Sequence, residues 1–510
     1  MQMRPNSRYP FGHSIVRASI PPGTLLYHGR SSDAFPEADW IAFDPEHSQV
    51  FARGDNGTLF TFATTRDLKL VYFDGCSADK AEGVDDTQDI LIWGKLGHDA
   101  GRGPGRGEQV RIADACEWAK EFDVDGFIRM EMDFEIMYCD FTRGLELVSA
   151  LNIVNSRPGG PGGPGGPGGP GRKPPPDGGL AGPRRGPLDE SHRGLDGTGT
   201  PPDGPPDGPD GPGGPGGPGS PRGPGRGSPS TPPSGWKGTL PNIGDAVTHA
   251  GSWHNTYPGD LRVHVDPANM LTFFDPAFTS LIPSRRARTR DQYRLQNVSA
   301  ADVARAREDI AEMFSRPSGE RSGVDWLALA QTVQDRFAER LPYLRYMLHL
   351  PTQNVSAQAA AVRQQFIVSL IPYMPRAGVG EPAWFAETAQ GCKAGFTGHL
   401  PVLRFTKQEH VLHNALDEVL HEVCRVLTSA WSDAFDVEDK SVDVAAELLV
   451  KWKGEVDALV EWLDWPVWMK CEFGCAINEF CLIPQPRFGR NPNEEMDHTP
   501  RCVAFAPPSL

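Results

Sequence analysis

Nine cysteines lie in this 510-residue chain, and four of them crowd its end. Cys471, Cys475 and Cys481 are followed by Cys502, with His498 nearby. Thiols this dense form two disulfides, hold a zinc ion or stay as free buried thiols. The spacing lacks the C-x2-C pair of a zinc ribbon, so disulfides are placed ahead of zinc. A second row, His413, Asp417 and His421, recurs every four residues and would share one helix face. Paired polar side chains along a helix edge are the commoner meaning of such a row, and no metal ligand is assigned.

Three short stretches near the start carry a different chemistry. They are Leu25–Arg30 (LLYHGR), Trp40–Ala52 (WIAFDPEHSQVFA) and Phe134–Tyr138 (FEIMY). Taken singly they are unremarkable: a His-Gly opens turns, a Trp fills cores, and Glu135 alternates with apolar neighbours like the wet face of a strand.

Together and in order they resemble the three strand-borne motifs of the ADP-ribosyltransferase fold of the His-Tyr-Glu type. His28-Gly29 matches the His-Gly pair of the first strand, with Arg30 where that family has Ser or Thr. Trp40, Ala42, Ser48 and Phe51 match the second motif, with Trp40 in the place of the family's Tyr. Glu135 opens the third, and Asp133 stands two residues before it. The resemblance covers roughly the first 150 residues.

It implies a split sheet with NAD, as substrate, in a cleft between its halves. Glu135 and His28 would be catalytic and would face that cleft from neighbouring strands. Cleaving the nicotinamide–ribose bond develops an oxocarbenium ion, which Glu135 would stabilise. His28 would bond the adenine-side ribose, Gly29 the nicotinamide amide, Arg30 the pyrophosphate, and Trp40 would stack on the nicotinamide ring. The acceptor is not named by the sequence.

The elements that must position these groups read as α+β. Gly23–His28, Thr58–Ala63, Leu68–Phe73, Gly126–Met130 and Glu135–Tyr138 are strand-like, and Arg111–Phe122 is an amphipathic helix. Residues 1–156 are therefore expected to form an α+β domain, 157–234 a disordered Gly/Pro-rich linker, and 235–510 a mainly α-helical domain. The 57 Gly and 49 Pro concentrate in that linker and hold the hydrophobic fraction to 38%. Residues 245–285 look strand-like and would complete the first sheet, making the linker an insertion. Ser299 and the Thr406/Glu409 capping box open helices, and Val324–Leu348, Ser356–Ile371 and Val442–Leu463 have helical periodicity.

A net charge of −16 argues against a nucleic-acid partner. No apolar run is long enough for a transmembrane segment, and no signal peptide is visible, so the chain as written is expected in the cytoplasm. It is expected outside the cell if the N-terminus is incomplete. Motifs of P-loop nucleotide hydrolases, zincins and α/β-hydrolases are missing. The alternative to an NAD-consuming enzyme is a secreted, disulfide-stapled protein that binds a protein partner through its helical domain.

Overall fold

The computed structural model describes residues 9–78, 82–97, 104–130, 133–154, 235, 260–317, 319–471, 474–482 and 499–504. Residues 157–234, apart from their boundaries, were expected to be a disordered linker; that expectation lies outside the described residues. No helix among the described residues is long and apolar enough to cross a membrane.

Nine strands form one sheet. They are β1 (Ser14–Ile20), β2 (Leu25–Arg30), β3 (Asp39–Ala42), β4 (Thr58–Thr64), β5 (Leu68–Phe73), β6 (Gly126–Met130), β7 (Phe134–Tyr138), β8 (Leu145–Asn152) and β9 (His264–Thr272). Their order is β8-β4-β2-β3-β7-β6-β5-β1-β9. Every residue of β6 and β7 is buried, because apolar layers cover both faces of the sheet there. One layer gathers Ile41, Phe60, Phe62, Ile128 and Ile136. The other packs Val71, Phe73, Phe127 and Met137 against α2 (Asp86–Trp93), α3 (Pro104–Phe122) and residues up to Phe314. A five-residue helix, α1 (Pro45–Gln49), follows β3.

The expected return of the chain to the first sheet is present. Strand β9 lies antiparallel to β1, so the Gly/Pro-rich stretch is an insertion in the sheet's domain. Helices α4 (Leu281–Arg286) and α5 (Ala300–Ser315) bury Leu281, Val303, Ala306 and Ile310 in the sheet's core.

The helical core begins later. It comprises α6 (Trp326–Phe337), α7 (Arg340–His349), α8 (Val355–Leu370), α9 (Pro382–Thr397), α10 (Lys407–Ala434) and α11 (Val442–Leu463). They enclose Phe337, Phe366, Val423, Leu427 and Trp452. The helical periodicity of Val324–Leu348 is met by two helices, α6 and α7. Pro342 has no N–H to offer the Ala338 carbonyl, and the Trp468 indole donates to that carbonyl instead, at 2.7 Å. The Thr406/Glu409 capping box is formed. Its buried Glu409 also accepts from the Ser322 hydroxyl and from Trp326 Nε1 at 3.0 Å, joining the starts of α6 and α10.

Candidate functional site

Strands β2, β3 and β7 carry the three stretches singled out above, and they are consecutive in the sheet. β2 pairs with β4 along its whole length, and β3 with β7 likewise. Among the described residues, β2 and β3 are paired at one position, Tyr27 with Ala42. The sheet is therefore loosely joined at that point. Ala42 pairs in turn with Glu135, and Glu135 with Arg129 of β6. Paired residues project to one face, so Tyr27, Ala42, Glu135 and Arg129 form a row on that face.

Glu135 is 5% exposed, and its Oε1 accepts from Arg129 Nη2 at 2.6 Å. Arg129 also donates to Glu108 of α3 at 2.8 Å and to Gln88 of α2 at 3.3 Å. Burial alone would lower the basicity of Arg129, but Glu108 and Glu135 outweigh it and hold the guanidinium above its ordinary range. Arg111 extends the chain of alternating charges, donating to Asp89 at 2.8 Å and to Asp85 at 2.6 Å. Burial pushes the Asp89 carboxyl up to about 6, against the pull of Arg111.

The second oxygen of Glu135 faces a residue that the sequence did not single out. His47 Nε2 lies 3.8 Å from Glu135 Oε2, and both side chains are buried. The imidazole is brought there by α1, which crosses β2 at Gly29. A Cβ on Gly29 would fall 1.9 Å from the Ser48 carbonyl oxygen. The glycine is thus required for this close approach. The Ser48 hydroxyl donates to the Tyr27 carbonyl at 2.7 Å and fixes the helix on the strand. His47 stacks on Phe51, whose ring is half exposed. His47 Nδ1 makes no hydrogen bond among the described residues.

His28 is elsewhere. It follows Tyr27 by one residue, so it projects to the opposite face from Glu135. Its ring lies 5.4 Å from Phe141 and 6.2 Å from Phe60. His28 Nδ1 is 2.6 Å from the Trp40 carbonyl oxygen, a contact that requires the proton on Nδ1. Burial lowers its pKa, partly offset by Asp39 and by that carbonyl, which keeps the imidazole neutral. The expectation that His28 and Glu135 face one cleft is corrected: strand alternation separates them.

The other expected contacts are placed as follows. Trp40 pairs with Met137, on the Glu135 face, and packs its ring against the core beneath α2 and α3. Arg30 turns its guanidinium onto the Ala34 carbonyl at 3.0 Å. Asp133 is fully buried. Among the residues that the sequence reading passed over, Arg129 had a signal. It is a charge in the middle of an otherwise apolar strand, which demands a partner. His47 lies within Trp40–Ala52, where Trp40, Ala42, Ser48 and Phe51 carry the resemblance and His47 does not.

The cysteines pair as Cys116–Cys139, Cys392–Cys424, Cys471–Cys481 and Cys475–Cys502, and the ninth, Cys76, is a buried thiol outside these bridges. In the C-terminal cluster the expected two bridges are formed, and the sulfurs of Cys471, Cys475 and Cys502 lie within 4.8 Å of one another. In the row His413, Asp417 and His421, Asp417 pairs with Lys393 Nζ at 2.7 Å and His413 lies against the Phe405 ring. An open cleft of about 1290 Å³ borders α7 and α11, lined by Arg288, Tyr346, His349, Asp457, Trp465 and Trp468 among others.

A family model described as the YPL277C N-terminal domain matches residues 51–158, the stretch from the end of α1's loop through β8. It includes Arg129 and Glu135. Two proteins of Saccharomyces cerevisiae are similar to this chain. The uncharacterized protein YOR389W is 33% identical over 200 residues, covering 30% of this chain and 32% of its own length. The uncharacterized protein YPL277C is 33% identical over 201 residues, covering 30% of this chain and 41% of its own. The chain thus spans 32% and 41% of the length of these two relatives. No solved structure matches.

Proposed function

We propose that the N-terminal sheet is an ADP-ribosyltransferase-like site that takes NAD as substrate and cleaves its nicotinamide–ribose bond, with Glu135 as the acting carboxylate. The observation that carries this reading is the adjacency of β2, β3 and β7, with the sheet loosely joined between β2 and β3. Ala42 at the end of β3 and Phe134 at the start of β7 are separated by 91 residues, so this adjacency is a product of folding and not of local sequence. Opposite-face placement removes His28 from the chemical step, and the reading rests on Glu135 and its surroundings.

Those surroundings fit the task. Arg129 occupies Oε1 and fixes the carboxylate's orientation, leaving Oε2 turned toward His47. A carboxylate beside the ribose favours positive charge that develops only as the bond to nicotinamide breaks. Phe51 offers a half-exposed flat ring next to His47, and replaces Trp40 as the stacking surface, since Trp40 is engaged with the core. Nicotinamide release from NAD tests the reading. Glu135→Gln should suppress turnover at least about 100-fold while NAD affinity changes by less than about 3-fold. A folded wild-type protein that shows no NAD binding by calorimetry would falsify it.

A second reading is favoured by a separate observation. Eight of the nine cysteines are paired, which is the usage of an oxidising compartment. In that reading the protein is secreted, without enzymatic activity, and binds a protein partner at the aromatic cleft beside α7 and α11. Retention of partner capture by Glu135→Gln, with no NAD turnover in wild type, would favour it over the first.

A further inference from the structure

We propose that Cys471, Cys475, Cys481 and Cys502 form a zinc(II) site when their two bridges are reduced. The C-terminal ribbon is then held by disulfides under oxidising conditions and by a tetrathiolate metal centre under reducing ones. The ribbon is the antiparallel strand pair Glu479–Leu482 and Arg501–Ala504. Cys481 and Cys502 stand directly opposite each other on it and therefore project to one face. They are not bridged to each other. Each is joined to the segment before the ribbon, Cys481 to Cys471 and Cys502 to Cys475. The two bridges thus lie side by side, which is why three of the four sulfurs fall within 4.8 Å of one another.

Sulfurs gathered in this way need little movement to become ligands of one ion. A tetrahedral zinc with Zn–S of about 2.3 Å sets its sulfurs about 3.8 Å apart. The C-x3-C spacing of Cys471 and Cys475 falls in the range that two ligands of one zinc span. Gly474, at φ 68, takes the left-handed conformation that turns the chain between them. The backbone N–H of Cys471 donates to Cys481 Sγ at 3.1 Å. A neutral sulfur is a weak acceptor, whereas a metal-bound thiolate is charged and is oriented by such donors.

The ribbon needs a cross-link of one kind or the other. Arg501–Ala504 is mostly exposed, Glu479–Leu482 is half-buried, and Ile477 is fully exposed. So small a piece buries too little apolar surface to hold itself, and zinc can replace the bridges in that task. The exchange balances. Each bridge takes two electrons and two protons from a dithiol, which leaves as a cyclic disulfide. The four thiols then release four protons to solvent as their thiolates bind Zn2+. Cys471 and Cys475 are half-buried and Cys502 is exposed, so reductant and ion can reach them.

The test uses the intact protein, reduced under nitrogen with dithiothreitol and then freed of it, while circular dichroism follows the helices. One Co2+ per chain should bind and give the strong visible bands of tetrahedral sulfur ligation, and Zn2+ should displace it. With zinc, alkylation mapped by mass spectrometry should slow at least about tenfold at Cys471, Cys475, Cys481 and Cys502, and not at Cys116 or Cys139. That map needs no variant. Cys475→Ser with Cys502→Ser should weaken metal binding at least about 100-fold. The oxidised protein should bind no metal at this site. Reduced protein without the tetrahedral bands, protection that falls on other cysteines, or undiminished Co2+ binding by the double variant would overturn the inference. Helices lost on reduction and not restored by zinc would overturn it as well.

Discussion

Arg129 and Glu135 stand directly opposite each other on adjacent strands, and their side chains meet at 2.6 Å in the middle of the sheet. The same guanidinium reaches Glu108 on α3 and Gln88 on α2. One buried cation therefore ties the carboxylate of the candidate site to the helical layer that covers it. Replacing Arg129 by Met leaves Glu135 without its cation and Glu108 with Arg111 alone, at 3.9 Å. The expected cost is about 3–5 kcal/mol, because the loss exposes uncompensated charge and not just a missing contact. Urea unfolding of the variant measures it. A cost below about 1 kcal/mol would show that the carboxylates find water or another partner.

His28→Ala should act on stability and not on substrate. The imidazole is buried and bonded to the Trp40 carbonyl across the β2/β3 join. Removing it leaves that carbonyl short of a donor, at a cost of about 1–3 kcal/mol. NAD affinity of the folded variant should stay within about twofold of wild type. A much weaker NAD complex with unchanged melting would restore His28 to the ligand side.

The disulfides give a chemical prediction. Protein from an oxidising compartment should expose one alkylatable thiol after denaturation without reductant, that of Cys76, and nine after reduction. The bridge between the buried Cys392 and Cys424 closes a 32-residue separation between α9 and α10. Its removal by double substitution to Ala should cost about 2–4 kcal/mol. Labelling of all nine without reductant would leave no bridge at all.

Acid should act through two neighbours with opposite signs. Burial lowers the His13 pKa to about 3 from 6.5, aided by Arg285. Between those values the unfolded chain binds a proton that the folded protein refuses, so stability falls as pH drops below about 6.5. Desolvation raises the Asp74 pKa from 3.8 to about 6, against the backbone N–H groups of Ser14 and His13. Here the folded protein keeps a proton that the unfolded chain releases, and stability falls as pH rises from 3.8 through 6. Relative to wild type, His13→Gln should gain as pH falls from 7 to 4, and Asp74→Asn should gain as pH rises over the same range. Each slope is at most about 1.4 kcal/mol per pH unit. Melting curves of both variants across pH 4–7 decide it, and parallel curves would refute both assignments.

The local elements were legible in the residues. Ser299 and Thr406 cap the helices that their side chains announce, and Leu68–Phe73 and Gly126–Met130 are strands with the expected limits. Such features depend on side-chain period and on bonds within a few residues, which adjacent sequence contains in full. The pairing of the C-terminal cysteines was legible as a choice among bridges, zinc and free thiols, and density of thiols allowed no more.

What tertiary structure decided was who faces whom. The motif stretches named Glu135 and His28 together, and a one-residue offset of strand register put them on opposite faces. Register is set by burying both faces of β6 and β7 at once, which requires every layer of the domain to be in place. His47 became a neighbour of Glu135 only because Gly29 lets α1 lie on β2. Strand β9 joined β1 because the sheet had an open edge and the chain beyond the Gly/Pro stretch had the apolar residues to cover it. Sequence by itself determined the elements and the stock of charges and thiols. Contacts between residues a hundred positions apart, chosen by shared burial, determined which of those groups meet.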